Sequence, residues 1–393
     1  MRTGSVPFFV VLSACAPQEA APEKPVVVAQ APIDAAITVA IDAPDAPADA
    51  PAVPEDATLI APTVAQADPV EPEVWLKGST HVHARPSGDS TTPIPDVLRW
   101  YETRSYDFIF LTDHNKVSEL DATSSTAGSV ALRFPPQGLI VFAGIELTHN
   151  PSGCLPAGDP SGKCRIHVNL LGVTGRPTGK VEWADRKTNE RVRKYEAALT
   201  QQKQLGGLPQ INHPNWFWGM SSELLAELAG RGFGLVEVSN VAFSEWNDGD
   251  KDHAALDEIW DGALAKGARI WGVASDDAHD YAGKGGKYPA GGAWITVKAR
   301  RDPAAILAAI AAGRFYASTG VVLARADVDG DQLVVEVAPS EKGTFTIEII
   351  ENGKRVYRRA SRSSRRPLPQ KGYVRALVTR GDGAKAWVQP AWR

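Results

Sequence analysis

The chain has 393 residues, with 42 Lys+Arg against 46 Asp+Glu, a net charge of −4 and a pI near 6.1, so its overall charge gives no reason to expect a nucleic-acid binder. With 43% hydrophobic residues it can bury a large core, and its 3 Cys are too few for a disulfide scaffold, which excludes wholly disordered, collagen-like and cystine-knotted chains. No apolar run reaches the roughly 18 residues of a membrane-spanning helix, which excludes a multi-span membrane protein.

The chain opens with one positive charge at Arg2, an apolar stretch from Val6 to Leu12 and the tetrapeptide Leu12-Ser13-Ala14-Cys15. This tetrapeptide resembles a bacterial lipobox, in which small residues admit the signal peptidase and the cysteine sulfur receives diacylglycerol. The resemblance implies a signal peptide over residues 1–14, lipidation at Cys15, and an exported, membrane-anchored lipoprotein facing the periplasm or the cell surface. The alternative is an ordinary apolar start. Residues 15–72 form a Pro/Ala/Asp-rich stretch without useful period, as in Ala43-Pro44-Asp45-Ala46-Pro47. Its prolines favour extended backbone and its carboxylates repel one another, so a disordered, semi-extended tether is expected, with a pairing segment at Ile37 to Ile41 as the alternative.

Beyond Val74 short apolar runs alternate with helical patterns. Phe108-Ile109-Phe110-Leu111, Leu139-Ile140-Val141-Phe142, Gly234-Leu235-Val236-Glu237-Val238 and Ile270-Trp271-Gly272-Val273 read as buried strands. Glu190 to Leu205, Ser222 to Ala229 and Ala254 to Lys266 read as amphipathic helices, and the alternation predicts an α/β domain, open or barrel, over residues 73–320. After Gly320 period-two runs such as Leu333-Val334-Val335-Glu336-Val337, joined by turns such as Glu351-Asn352-Gly353, predict a small antiparallel, sandwich-like β-module over residues 321–393.

Most of the 8 His sit beside apolar runs and near carboxylates: His81-Val82-His83, Thr112-Asp113-His114, Gly144-Ile145-Glu146, Ile166-His167-Val168, Asn212-His213-Pro214 and Asp276-Asp277-Ala278-His279. Buried imidazoles and carboxylates are costly unless paired or coordinating metal, so the set points to a metal site at strand ends. His81 and His83 are two apart, as are Asp277 and His279, which puts both members of each pair on one side of extended backbone. Nitrogen and oxygen donors without cysteine suit a divalent ion such as Zn, Mn or Fe.

These motifs resemble, in order, those of the PHP (polymerase and histidinol phosphatase) metallohydrolases: His81-x-His83, Thr112-Asp113-His114, Ile211-Asn212-His213-Pro214 and Asp277-x-His279, with Gly144-Ile145-Glu146 similar to the family's bridging glutamate and Ile166-His167-Val168-Asn169 to the segment after it. The resemblance implies a distorted seven-stranded (β/α) barrel with a trinuclear centre at its mouth, and hence two to three divalent ions of Zn, Mn or Fe. It assigns His81, His83, Glu146 and Asp277 to one metal, Glu146, His167 and His213 to a second, and Asp89, His114 and His279 to a third. His167 opens its apolar run, so the strands Leu139 to Leu147 and His167 to Val173 are expected to run antiparallel around a long loop. That loop holds Cys154 and Cys164, which can pair in an exported protein. Asp113 and Asp276 are expected to orient neighbouring imidazoles. His149 has two readings, substrate-facing or loop-capping, and His253 is expected to be solvated.

Metals sharing Glu146 would lower the pKa of a bridging water from about 15.7 to about 7 and supply hydroxide. Glu146, Asp277 and Asp276 are the candidate catalytic acids. The expected activity is metal-dependent hydrolysis of a small-molecule ester, a phosphoester first. The Asp276 to His279 run, the Ser87-Gly88-Asp89 loop and the end Ala386-Trp387-Val388-Gln389-Pro390-Ala391 also resemble the family branch named for a carbaryl hydrolase. That branch makes carboxylic or carbamate ester hydrolysis the alternative, and a non-catalytic surface binding module is a third reading. The basic run from Lys354 to Arg366 is read as a solvated hairpin, with anionic lipid as the alternative contact.

Overall fold

The computed structural model describes residues 71–118, 131–134, 138–282 and 287–393. The expected signal peptide, Cys15 and the tether with its Ile37 to Ile41 segment lie outside the described residues. The strands of the first part are β1 (Val74–Val82), β2 (Phe108–Leu111), β3 (Ala131–Phe134), β4 (Leu139–His149), β5 (Ile166–Leu171), β6 (Leu208–Ile211), β7 (Leu235–Asn240), β8 (Trp271–Ser275), β9 (Trp294–Ala299) and β10 (Phe315–Ser318). Those that follow are β11 (Leu323–Asp329), β12 (Gln332–Val337), β13 (Phe345–Glu351), β14 (Lys354–Ala360), β15 (Ser363–Pro367), β16 (Val374–Arg380) and β17 (Lys385–Val388). The helices are α1 (Ile94–Glu102), α2 (Arg191–Leu205), α3 (Ser222–Arg231), α4 (Ser244–Asn247), α5 (Leu256–Ala265) and α6 (Pro303–Ala311).

The class is mixed α/β, with more sheet than helix. One large mixed sheet runs β14-β13-β16-β17-β10-β9-β1-β2-β4-β5-β6-β7-β8, and β3 pairs with β4. Parallel pairs (β1/β2, β2/β4, β6/β7, β7/β8) are interrupted by antiparallel ones at β4/β5 and β5/β6, so β4 and β5 do run antiparallel, with Glu146 opposite Asn169 and Thr148 opposite His167. The sheet curls: Val82 bridges Ala278 just beyond β8, and His83 N–H donates to the Ala278 carbonyl at 2.9 Å.

Local chemistry explains the helix ends. Ser221 Oγ accepts from Leu224 N–H at 3.2 Å to start α3, and Asp302 accepts from Ala305 N–H at 2.9 Å to start α6, whose Pro303 needs no donor there. The helices pack on the sheet, α1 on β4, α2 on β5, α5 on β7 and α6 on β9. One hydrophobic core runs from Leu76 through Phe108, Phe110, Phe142 and Trp260 to Trp387. A second lies between the C-terminal strands of the large sheet and the separate sheet β11-β12-β15, built from residues such as Leu333, Val335, Ile347 and Val378.

The basic run is largely exposed, and its first half is the second arm of a hairpin with β13. Lys354 to Ala360 pairs with β13, whereas Ser363 to Pro367 crosses to β12 in the other sheet. Its charges meet carboxylates: Arg355 meets Glu348 on the paired strand β13 at 2.8 Å, within cross-strand reach, and Arg366 meets Glu351 of β13, in the other sheet, at 2.7 Å.

Candidate metal centre

Strand direction gathers the expected ligands at one edge. His81 lies at the end of β1 and His83 just beyond it, His114 follows β2, Glu146 lies near the end of β4, His213 follows β6, and Asp277 and His279 follow β8. His167 is near the start of β5, and because β5 is antiparallel to β4 its start lies at this same edge. Gly144 makes the approach of β2 possible, since a Cβ there would stand 2.9 Å from Thr112 Cγ2 and 3.0 Å from the Leu111 carbonyl.

Three sets of donor atoms result, each within 4.8 Å of one another: His83, Asp89, His114 and His279; His81, His83 and Glu146; and Glu146, His167 and His213. Glu146 is central. Its Oε1 is 3.3 Å from His81 Nε2, 3.0 Å from His167 Nδ1 and 3.6 Å from His213 Nε2, while Oε2 faces His114 Nδ1 in a short contact and His83 Nε2 at 3.8 Å. Asp277 Oδ1 lies 3.0 Å from Nε2 of both His81 and His83. Its backbone has φ +48°, a left-handed value that costs a non-glycine residue on the order of 1 kcal/mol and that turns the carboxylate back over the two histidines. Asp89 Oδ2 receives His114 and His279 Nε2 at 3.0 and 3.2 Å.

The donor set fits metal ions. Nε2 of His81 and His83 and Oδ1 of Asp277 are buried and face one another without a hydrogen bond of good geometry, an arrangement costly for polar atoms unless a cation satisfies them. The mixture of imidazole nitrogen and carboxylate oxygen is the chemistry that borderline divalent ions take.

The electrostatics follow. Burial pushes the Glu146 carboxyl up, but His114, His167 and His81 outweigh it and hold the group well below the usual carboxylate range. Asp277 is held down similarly, against its burial, by His81, His83 and His279. Burial favours the neutral ring at His114, yet Glu146 and Asp89 raise it to about 10. At His83 burial wins, helped by the His279 and His114 charges, and lowers the ring to about 3.

The rings are oriented by groups outside the expected set. Glu237, on β7 and fully buried, meets His81 Nδ1 at 2.8 Å and also accepts from His213 N–H and Ser275 Oγ, each at 2.5 Å. Ser87 Oγ meets His83 Nδ1 at 2.9 Å, Thr148 Oγ1 meets His114 Nδ1 at 2.6 Å, and Asn150 Oδ1 meets His167 Nε2 at 2.8 Å. Sequence reasoning missed Glu237, although an acid inside the apolar run Leu235-Val236-Glu237-Val238 is the signal that finds it.

Asp113 and Asp276 do not orient imidazoles. Asp113 accepts from Ala84 N–H at 2.7 Å and from Ser118 Oγ, and Asp276 from Gly291 N–H and, at 3.3 Å, Gly292 N–H. Burial pushes Asp276 up to about 7, those N–H groups opposing. None of the three donor sets includes Asp276 or Asp277, but Asp277 faces His81 and His83 at 3.0 Å. His149 also stands apart, its ring 6.2 Å from Trp183. His253 is not simply solvated: it stacks on Trp218 at 4.1 Å and 2° and meets Asp250 at 2.8 Å. Cys154 and Cys164 form a disulfide with Cα atoms 6.1 Å apart.

No protein-family model and no curated protein matches the chain. Among solved structures it is similar to PsfC from Pseudomonas syringae PB-5123, at 16% identity and a TM-score of 0.33 over 57% of this chain and 82% of that one.

Proposed function

We propose that the chain is an exported, lipid-anchored metallohydrolase of the PHP type that cleaves phosphoesters, and that the curled stretch of β1, β2 and β4 to β8 is the seven-stranded barrel of that family. The observation that carries this reading is Glu146, whose two oxygens face different groups of imidazoles and which thereby sits where a bridging ligand must. The contact of β1 with the end of β8 supports the closed-sheet reading. His81, His83, Asp277 and Glu146 would hold one metal, Glu146, His167 and His213 a second, and Asp89, His114 and His279 a third, with His83 beside both the first and the third. When bound, such ions activate water and neutralise charge on the attacked phosphoryl group.

The protein's own residues prepare that chemistry. Glu146 and Asp277 are kept ionised by the surrounding rings, Glu237 and Ser87 turn the Nε2 atoms of His81 and His83 toward them, and half-exposed Asp89 leaves the mouth open to solvent. The test is elemental analysis of the purified full-length chain beside a panel of aryl phosphate mono- and diesters and aryl carboxylic esters, with His83→Ala and Asp277→Ala. Two to three metals with phosphate release, both lost in the variants, are expected. A fully active Asp277→Ala protein overturns the site, and cleavage of carboxylic esters alone overturns the phosphoesterase assignment.

A further inference from the structure

An arc of rings stands against the candidate ligands. Trp216 lies 5.3 Å from the His213 ring and 5.9 Å from His167 between centroids, and 4.4 Å from Phe243, itself 4.5 Å from His213. Tyr288 extends the arc, 5.8 Å from Phe243 and 5.3 Å from His279. Trp216 remains partly exposed, so this wall of the mouth is aromatic and reachable.

The chain holds this wall at a cost. Phe217 and Trp218 have φ of +58° and +53°, left-handed values that bulky residues avoid and that persist only where the surroundings impose them. Asp159 N–H donates to the Phe217 carbonyl at 3.0 Å, and Asn215 Nδ2 donates to the Trp246 carbonyl at 2.8 Å. Behind them buried Arg191 donates to the Pro156 carbonyl at 2.8 Å, and a Cβ on Gly219 would stand 2.5 Å from its Nη1. Strain of this kind collects where a surface serves a ligand.

A cation accompanies the rings. Arg165 is two residues before His167, on the same side of extended backbone, and its guanidinium lies 4.9 Å from the Trp216 ring and 4.9 Å from Phe217. Its Nη1 donates to the Cys164 carbonyl at 2.7 Å, its Nε is buried with no hydrogen-bond partner, and among the described residues it has no ion pair. An unneutralised charge stacked on a ring that touches two candidate ligands is placed to attract an anion bearing a planar group.

We infer that Trp216, Phe243 and Arg165 form the subsite for the alcohol side of the substrate, and that the preferred substrates are phosphoesters of planar aromatic alcohols. This rests on the phosphoesterase reading. The ring of the alcohol packs on Trp216 and Phe243, the phosphoryl group faces the histidines, and Arg165 adds attraction for its negative charge.

The test is calorimetric titration of the metal-reconstituted full-length chain with phenylphosphonate and methylphosphonate, which do not hydrolyse, with elemental analysis of the same samples. Wild type is expected to bind the phenyl compound roughly tenfold more tightly. Trp216→Leu should bring that ratio near one with metal content unchanged, and Arg165→Gln should weaken both phosphonates several-fold while leaving the ratio. Phe243→Leu removes the second ring of the subsite and should also lower the ratio, with metal content and melting temperature measured on the same samples to separate recognition from folding. Equal affinities in wild type, or a ratio indifferent to both ring variants, overturn the subsite. A phenyl preference without metal uptake keeps the subsite and overturns the metallohydrolase reading, uptake without preference does the reverse, and loss of both overturns both.

Discussion

His81 Nδ1 lies 2.8 Å from Glu237 Oε1 in a fully buried pair, and this contact decides which edge of the ring His81 shows to Glu146 and Asp277. Burial opposes the charge on Glu237, but His81, His213 and Ser275 hold its carboxyl below the usual range. A carboxylate in this position fixes the ring and raises its basicity as a ligand. Glu237→Gln should keep the fold and weaken metal binding by about 10- to 100-fold, as read by competition with a chromophoric chelator. Unchanged affinity would mean that Glu237 serves packing alone.

Metal loading should release protons. Burial disfavours charge on His81, His114 and His279, yet nearby carboxylates outweigh it at each, raising His114 to about 10. The metal-free protein therefore holds imidazolium protons at pH 7 that a metal must displace, and affinity should climb from pH 6 to pH 8. The sign for stability follows from linkage. Folded pKa values raised at these rings contribute stability that is complete below the ordinary histidine value and is lost as pH rises through about 10 at His114. His83 and His167 are lowered, chiefly by burial, to about 3 and about 4, so acidification below the ordinary histidine value destabilises the fold through them. Titration with Mn in buffers of different ionisation enthalpy checks the release; heats independent of buffer would contradict it.

The edge at which the histidines gather is legible because their spacing is simple: His81 and His83 share a side of β1, and His167, at the start of its run, requires the reversal seen between β4 and β5. Glu237 is not legible as a partner of His81, since the pairing needs the curl that brings β7 toward β1 across 156 residues of sequence. The aromatic arc is hidden for another reason. Nothing in Asn215-Trp216-Phe217-Trp218 advertises left-handed backbone, which here is imposed by Asp159 and Asn215 through contacts made only in the folded chain.

The disulfide should matter more for the loop than for the donor atoms. Cys154 and Cys164 are 10 residues apart, and closing a loop of that length contributes about 2–3 kcal/mol in the chain-entropy picture. The loop supplies Pro156 and Asp159, which hold Arg191 and Phe217, but none of the three donor sets. Cys154→Ser with Cys164→Ser should therefore lower the melting temperature and leave metal content intact. Loss of metal in that variant would show that the loop also holds the cluster together.

Arg375 and Asp261 join the C-terminal strands to the helical side of the molecule. Arg375 on β16 is 1% exposed, and its Nε and Nη2 each donate to an Asp261 oxygen at 2.6 Å, a two-pronged contact that Tyr373 OH completes at 2.7 Å from Oδ1. The guanidinium also lies over the Trp260 ring at 4.7 Å. Burial favours loss of the Arg375 proton, yet Asp261 more than compensates and holds the group charged. Removing only the acid leaves that charge buried and unpaired, so Asp261→Ala should cost about 3–5 kcal/mol. Taking away the cation as well, as Asp261→Leu with Arg375→Met, replaces two desolvated charges by apolar volume and should recover most of the loss. Denaturant unfolding of the two proteins decides the matter. If the double variant is as unstable as the single one, the pair contributes net stability in its own right, and the joint depends on its geometry rather than on avoiding an unpaired charge.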